Sequence, residues 1–192
     1  MLVLIIGLVI FLGSHSVRIA GEGFRRRTIA RLGEGGWKGL YSAVSLVGLI
    51  LIVWGYGLSR LDPVVLWDPP VWTKHIAVLL MLPAFVLFAA FLVPAGRIKA
   101  RLGHPMILAV KVWALAHLLA NGTLADLVLF GSLLVWAIAD FAASRRRDRA
   151  AGTVRIAGPP RNDALAAGIG VLIWAAFIWR VHEWLIGVSP LA

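Results

Sequence analysis

Residues 105–143 of the chain read PMILAVKVWALAHLLANGTLADLVLFGSLLVWAIADFAA. Two apolar runs flank the short joint Asn121-Gly122-Thr123, and each run approaches the roughly 20 residues that a helix needs to cross a bilayer. The joint is too short for anything but a tight antiparallel hairpin of two helices. Thr123 and Asp126 match the Ser/Thr-x-x-Asp/Glu capping box, so we expect the second helix to begin there.

The rest of the chain repeats this pattern of apolar runs and polar joints. Of its 192 residues, 60% are hydrophobic and 15% are charged, and the mean hydropathy is +0.89. This composition excludes an ordinary soluble enzyme, which could not bury so much apolar side chain, and it excludes a disordered chain. We predict an all-α integral membrane bundle, one domain over residues 1–192. Its six predicted transmembrane helices are 1–18, 38–57, 75–93, 105–121, 124–143 and 164–186.

Lysine and arginine concentrate on alternate joints. Of the 19 basic residues, all but Arg60, Lys74 and Arg180 lie on the side reached after the first, third and fifth spans. The positive-inside rule therefore predicts that both termini are non-cytoplasmic. The net charge of +10 is then a topology signal that also attracts anionic lipid. Membrane lipid is the expected partner, and nucleic acid is not.

Ionisable side chains inside apolar spans are costly, so they mark candidate functional positions. Several have a simpler interpretation near a span end. Arg180 and Glu183 suit a salt bridge between residues three apart on a helix, and His104 before Pro105 suits the start of a helix. The candidates are His15, His75, His104, Lys111, His117, Asp140, Arg180, His182 and Glu183.

His15 and His117 are the deepest of these residues. At 1.5 Å per residue they lie about 20 Å and about 18 Å along their spans, inside a hydrocarbon core about 30 Å thick. Two imidazoles without cysteine or a nearby carboxylate suit haem better than a bare metal ion. A hydrogen-bonded structural pair, a proton relay or a substrate contact explains the same residues. Trp113 and Asn121 lie one turn to either side of His117 and are predicted to line the site, although Asn121 equally suits a helix cap.

Four short motifs carry a family resemblance. They are Phe11-Leu12-Gly13-Ser14-His15-Ser16, RLGEGGWKGLY over residues 31–41, Gly103-His104-Pro105, and LAHLLANG over residues 115–122. Together they resemble the NnrU family of bacterial inner-membrane proteins. That resemblance implies a multi-pass protein of the bacterial cytoplasmic membrane, associated with denitrification and nitric oxide metabolism.

NnrU proteins are similar in turn to zeta-carotene isomerase, a membrane haem b enzyme with axial histidines. The His-Ser motif of that enzyme matches His15-Ser16, and its Leu-Ala-His motif matches Leu115-Ala116-His117. The resemblance therefore implies haem b, with His15 and His117 as the metal ligands. It also implies nitric oxide or an apolar small molecule as a bound partner. The isomerase has arginine where this chain has Gly103, so isomerase activity does not follow.

Two other functions are compatible with the sequence. The protein can be a cofactor-free accessory protein that matures a membrane partner. It can also be an isomerase-like enzyme that acts on an apolar substrate, or a lipid- or quinone-binding enzyme that works near Arg180, His182 and Glu183. The sequence leaves open whether the protein is an enzyme, and it predicts neither catalytic residues nor an oligomeric state.

Overall fold

The computed structural model describes residues 1–191, and the regular structure there is helical, which confirms the all-α prediction. A π-helical turn, Phe177–Val181, joins the last two helices. The helices are α1 (Leu2–His15), α2 (Val17–Ala20), α3 (Glu22–Ser59), α4 (Val71–Leu92), α5 (Arg97–Leu102), α6 (Pro105–Ala120), α7 (Leu124–Ala150), α8 (Pro160–Ala176) and α9 (His182–Ile186).

Within residues 1–191, four helical segments are long and apolar enough to cross a membrane: α3, α4, α7 and the continuous segment Pro160–Ile186. The protein is therefore a helical membrane protein. Helices α1 and α6 are apolar but contain only 14 and 16 residues. At 1.5 Å per residue they are about 21 Å and about 24 Å long, less than a hydrocarbon core of about 30 Å. Length alone thus supports four of the six predicted spans.

Helices α1 and α3 pack antiparallel with their backbones in close contact. A β-carbon at Gly7 would lie 2.6 Å from the Ile52 nitrogen, and one at Gly48 would lie 2.8 Å from the Phe11 nitrogen. A β-carbon at Gly55 would overlap the Leu4 nitrogen. Small residues allow such approach, which gives apolar helices dispersion contacts that larger side chains would prevent.

Helices α6 and α7 form the predicted hairpin. The Thr123 side chain accepts from the Asp126 backbone, and the Asp126 carboxylate accepts from the Thr123 backbone, so the predicted capping box is confirmed. Tyr56 of α3 also donates to Asp126, at 2.6 Å. The bond from Tyr56 ties α3 to the start of α7, and it helps to explain how a carboxylate that is only 4% exposed is accommodated.

The joint between α3 and α4 lies across this hairpin. Val64 accepts from the Leu124 backbone at 2.8 Å, and Leu66 donates to the Gly122 carbonyl at 2.8 Å. A side chain at Gly122 would overlap the Trp67 carbonyl oxygen. The glycine is therefore required by a close approach of two backbones. We refer to this end of the molecule as the Gly122 end.

The opposite end, which we call the basic end, is held by an ion pair and hydrogen bonds to two aspartates. Pro105 begins α6 directly after His104, as predicted. Asp148 in the last turns of α7 lies 2.8 Å from His104 and 2.6 Å from Arg155. Asp163 accepts from the first backbone nitrogens of α5 at 2.9 and 3.0 Å. These contacts fix the joints before α6 and after α7.

Candidate functional site

A cavity lies at the Gly122 end between α4, α6 and the C-terminal segment that follows α8. Its volume is about 130 Å³, and the whole space between its lining atoms, including the part open to solvent, is about 720 Å³. The smaller volume is close to the size that holds a single aromatic ring, whereas a larger ligand would extend into the part open to solvent. The wall is mainly apolar and includes Val78, Met81, Phe85, Trp174 and Phe177.

His117 of α6 lines this cavity. Its Nδ1 lies 2.8 Å from the carbonyl oxygen of Trp113, one turn earlier. A carbonyl oxygen only accepts hydrogen bonds, so Nδ1 carries the proton and Nε2 of the neutral ring keeps the lone pair. The ring also stacks on Phe130 of α7, with centroids 4.7 Å apart. Backbone and ring contacts therefore hold the imidazole with Nε2 as the nitrogen available to a ligand.

His182, the first residue of α9, lines the same cavity. Its Nδ1 lies 2.7 Å from the carbonyl oxygen of Val188, so the argument that applies to His117 also leaves its Nε2 available. The chain returns to this point because Gly187 adopts the left-handed conformation, with φ of 78°, and ends the helix. The His117 and His182 ring centroids are 6.4 Å apart, and their planes differ by 28°.

Two packing features position the C-terminal segment against α4. The indole nitrogen of Trp174 donates to the Val78 carbonyl at 2.8 Å. A β-carbon at Gly170 would lie 2.6 Å from the Val86 α-carbon, so the helices touch through their backbones. Beyond this contact the helix widens into the π-helical turn Phe177–Val181, a feature that is frequent at functional sites.

The predicted ligand His15 lies elsewhere. It lines a second cavity, of about 350 Å³, together with Trp37, Tyr41, Trp136 and Asp140. Its Nδ1 is 2.7 Å from the Phe11 carbonyl oxygen. This cavity is bounded by α1, α3 and α7, and it also contains arginines, so it is the more polar of the two histidine cavities.

The positions of His15 and His117 can be compared along α7, which contacts both. His15 lies against Trp136 and His117 against Phe130. These two α7 residues are six positions apart, which is about 9 Å along a helix and about 240° around it. The structure therefore places the two predicted ligands in separate cavities, and it brings His117 together with His182.

The other predicted site residues support His117 indirectly. Trp113 contributes its carbonyl oxygen and packs its ring 5.0 Å from the imidazole. Asn121 lines the cavity, and its side-chain amide donates to the backbone carbonyl of His117 at 2.9 Å. It therefore caps the end of α6 and does not contact the imidazole through this bond. Within residues 1–191 no three His, Cys, Asp or Glu side chains form a metal-binding group.

Most remaining ionisable candidates have structural partners. Asp140 lies 3.8 Å from Arg147, Arg180 lies 3.3 Å from Glu183 as predicted, and the Lys111 ammonium lies 4.7 Å from the Phe141 ring centroid. In the sequence, His182 is a neighbour of that exposed ion pair. The hydrogen bond that orients its ring depends on the reversal after α9, for which Gly187 is the one local signal.

The family model described as NnrU protein matches residues 3–190. The chain belongs to the NnrU family. No curated protein and no solved structure matches it. The match extends over all three helices that carry His15, His117 and His182, so both histidine cavities of this NnrU protein lie inside the region that defines the family.

Proposed function

We propose that this NnrU protein is a six-span protein of the bacterial cytoplasmic membrane with both termini outside the cytoplasm. The alternation of basic joints supports this topology. The two short apolar helices support it as well, because each lies beside a longer one, α1 along α3 and α6 along α7. A short helix packed against a spanning helix can cross where the bilayer is locally thin or where flanking residues snorkel.

We further propose that the protein binds one b-type haem in the cavity at the Gly122 end, with His117 Nε2 as a ligand to the iron. The observation that supports this most is the pairing of two imidazoles, both held by backbone carbonyls, inside a mainly apolar cavity. A haem supplies four ring nitrogens itself and needs only axial donors from the protein. The donor set of the cavity therefore fits haem, and a bare ion would lack ligands.

The proposed context is denitrification and nitric oxide metabolism. When bound, a haem supplies an iron that can bind a small diatomic molecule such as nitric oxide. The residues of this chain have separate roles. The Trp113 carbonyl orients the His117 ring and raises its basicity as a donor, in the way that partners of metal-bound histidines do. The apolar wall, including Phe85 and Phe177, offers water no hydrogen-bond partners.

An absorbance scan of purified protein, oxidised and reduced, tests the haem proposal. After expression with added haem precursor, the wild-type protein should show a Soret band. His117→Ala should lose or shift that band. His75→Ala is the matched control, because His75 is exposed and does not line the cavity. A colourless wild-type protein, or a His117→Ala variant with an unchanged spectrum, would contradict the proposal.

The cavity volume of about 130 Å³ favours a second candidate function, the binding of a quinone or lipid ring without haem. This candidate predicts a colourless protein that retains quinone or lipid through purification in mild detergent. Replacing Met81 by Trp would fill the cavity and should release that ligand. A colourless protein that instead co-purifies with another subunit would favour the accessory role.

A further inference from the structure

We infer that His182, and not His15, is the second protein ligand that shares the bound group with His117. The inference rests on the proposed haem site and specifies its ligands. It makes the C-terminal segment, from the π-helical turn to Pro190, a part of the site. The sequence resemblance points to His15 instead, so the two assignments can be tested against each other.

The first support is the spacing of the two rings. Two imidazole nitrogens bound on opposite sides of one metal ion, each at about 2.0–2.1 Å, place their ring centroids roughly 6–6.5 Å apart. The His117 and His182 centroids are 6.4 Å apart. The two ring planes differ by 28°, and the spacing equals that of two imidazoles that share one metal ion.

The second support is the orientation of both rings. Each Nδ1 is held by a backbone carbonyl, from Trp113 for His117 and from Val188 for His182. Both rings therefore keep Nε2 as the donor nitrogen, and among residues 1–191 neither Nε2 has a hydrogen-bond partner. Metal-bound histidines show this pattern, because the partner of one ring nitrogen orients the other toward the metal.

The third support is the backbone around His182. An uninterrupted α-helix turns by about 40° more than a full circle every four residues, so Trp174, Ile178 and His182 would drift around its surface. All three line the cavity, and the π-helical turn lies between the first and the last of them. The wider turn compensates for the drift. Gly187 then reverses the chain and brings the Val188 carbonyl to the imidazole.

His15 shares the backbone-held Nδ1 but not the pairing with His117. Its cavity is separate, and its ring neighbours are Phe11, Tyr41 and Trp136. None of these three residues is a ring neighbour of His117. His15 and His117 line different cavities, whereas His182 and His117 line the same one. His182 already lies close enough to His117 to share one bound group with it.

Spectra of the haem-loaded full-length protein test the inference. Wild type should show a six-coordinate, low-spin ferric spectrum. His182→Ala should retain haem through His117 but lose the six-coordinate, low-spin signature. Added imidazole should restore that signature, since the vacated space can hold the missing ring. His15→Ala should retain the wild-type spectrum.

Each alternative result has a distinct meaning. If wild type binds no haem, the proposed function fails and the inference fails with it. If wild type binds haem but His15→Ala, rather than His182→Ala, loses the low-spin signature, only the inference fails. A five-coordinate wild-type spectrum that His182→Ala does not change also overturns the inference alone. Should His182→Ala not fold by size-exclusion chromatography, His182→Gln retains a side chain of similar length and should show the same loss without rescue by imidazole.

Discussion

At the scale of single residues, His15, His117 and His182 share one hydrogen-bond arrangement. In each, Nδ1 lies 2.7 or 2.8 Å from a backbone carbonyl oxygen. For the first two the acceptor is four residues earlier in the same helix, so the arrangement is local and can be anticipated from helix geometry. For His182 the acceptor is six residues later and depends on the reversal at Gly187. The bonds of His15 and His117 to the carbonyl four residues earlier are therefore predictable from sequence, whereas the bond of His182 is not.

Asp126 is the residue whose polar contacts contribute most at the start of α7. It accepts from Thr123 and from Tyr56 while almost fully buried. We expect Asp126→Asn to lower the free energy of unfolding by about 1–3 kcal/mol, because the amide can replace only some of these bonds. Thermal or denaturant unfolding in detergent micelles measures the change.

Two matched variants complete that experiment. Tyr56→Phe removes only the bond between helices, and its effect should be smaller, about 1 kcal/mol. Asp62→Asn changes an exposed carboxylate in the joint before α4 and should have no measurable effect. Equal stability of the Asp126 and Asp62 variants would show that the capping box does not stabilise the helix start.

At the scale of helices, close backbone contact between α1 and α3 makes a specific prediction. Gly55→Ala places a β-carbon against the Leu4 nitrogen, so the helices must separate, and we expect a loss of about 1–3 kcal/mol, typical of overpacking. Gly57→Ala is the control in the same helix, since nothing lies within 4 Å of its β-carbon. Unfolding of both variants in the same detergent gives the comparison. A Gly55→Ala variant as stable as the control would refute the contact.

The extents of the helices show where sequence patterns were insufficient. The predicted second span began at residue 38, but α3 begins at Glu22 and continues through a break at Gly33, which has φ of 72°. A hydropathy pattern locates the apolar part of a helix, but it does not show whether the helix continues into the polar residues beside it. Arginine and glutamate are good helix formers, so the basic joint is largely helical. For the same reason α7 extends through its arginines to Ala150.

At the scale of the whole molecule, the number of membrane crossings can be tested by finding on which side of the membrane two of the joints lie. Six crossings place Leu61 and Val154 on opposite sides of the membrane. If α1 and α6 do not cross, the four long segments place both residues on the same side. Both side chains are well exposed, at 82% and 85%, so their accessibility is comparable.

The absence of cysteine makes this test direct. In intact cells, a membrane-impermeant maleimide should label Leu61→Cys and should label Val154→Cys only after permeabilisation. Leu191→Cys should be labelled from outside, as a non-cytoplasmic C-terminus requires. Wild-type protein gives the background. Equal labelling of Leu61→Cys and Val154→Cys in intact cells would reject six crossings.

The candidate site was predictable only in part, for a reason visible in its two histidines. His117 was selected because it lies deep in an apolar run, and depth follows from counting residues along one helix. Its partner depends on how far helices rotate and which faces meet, and α7 separates His117 from His15 by both height and angle. His182, near the end of the last span, is a candidate from sequence only beside Arg180 and Glu183, because its shallow position gives no reason to pair it with His117.

The sequence by itself determined that this protein is helical and belongs in a membrane, because composition and apolar run length act independently of how helices pack. It also determined the α6–α7 hairpin, since the capping box and its joint are local. Only the tertiary structure decided which side chains share a cavity. That depends on close contacts between residues far apart in sequence, such as Gly170 against Val86, and on the return of the chain after Gly187, which brings Val188 back to His182.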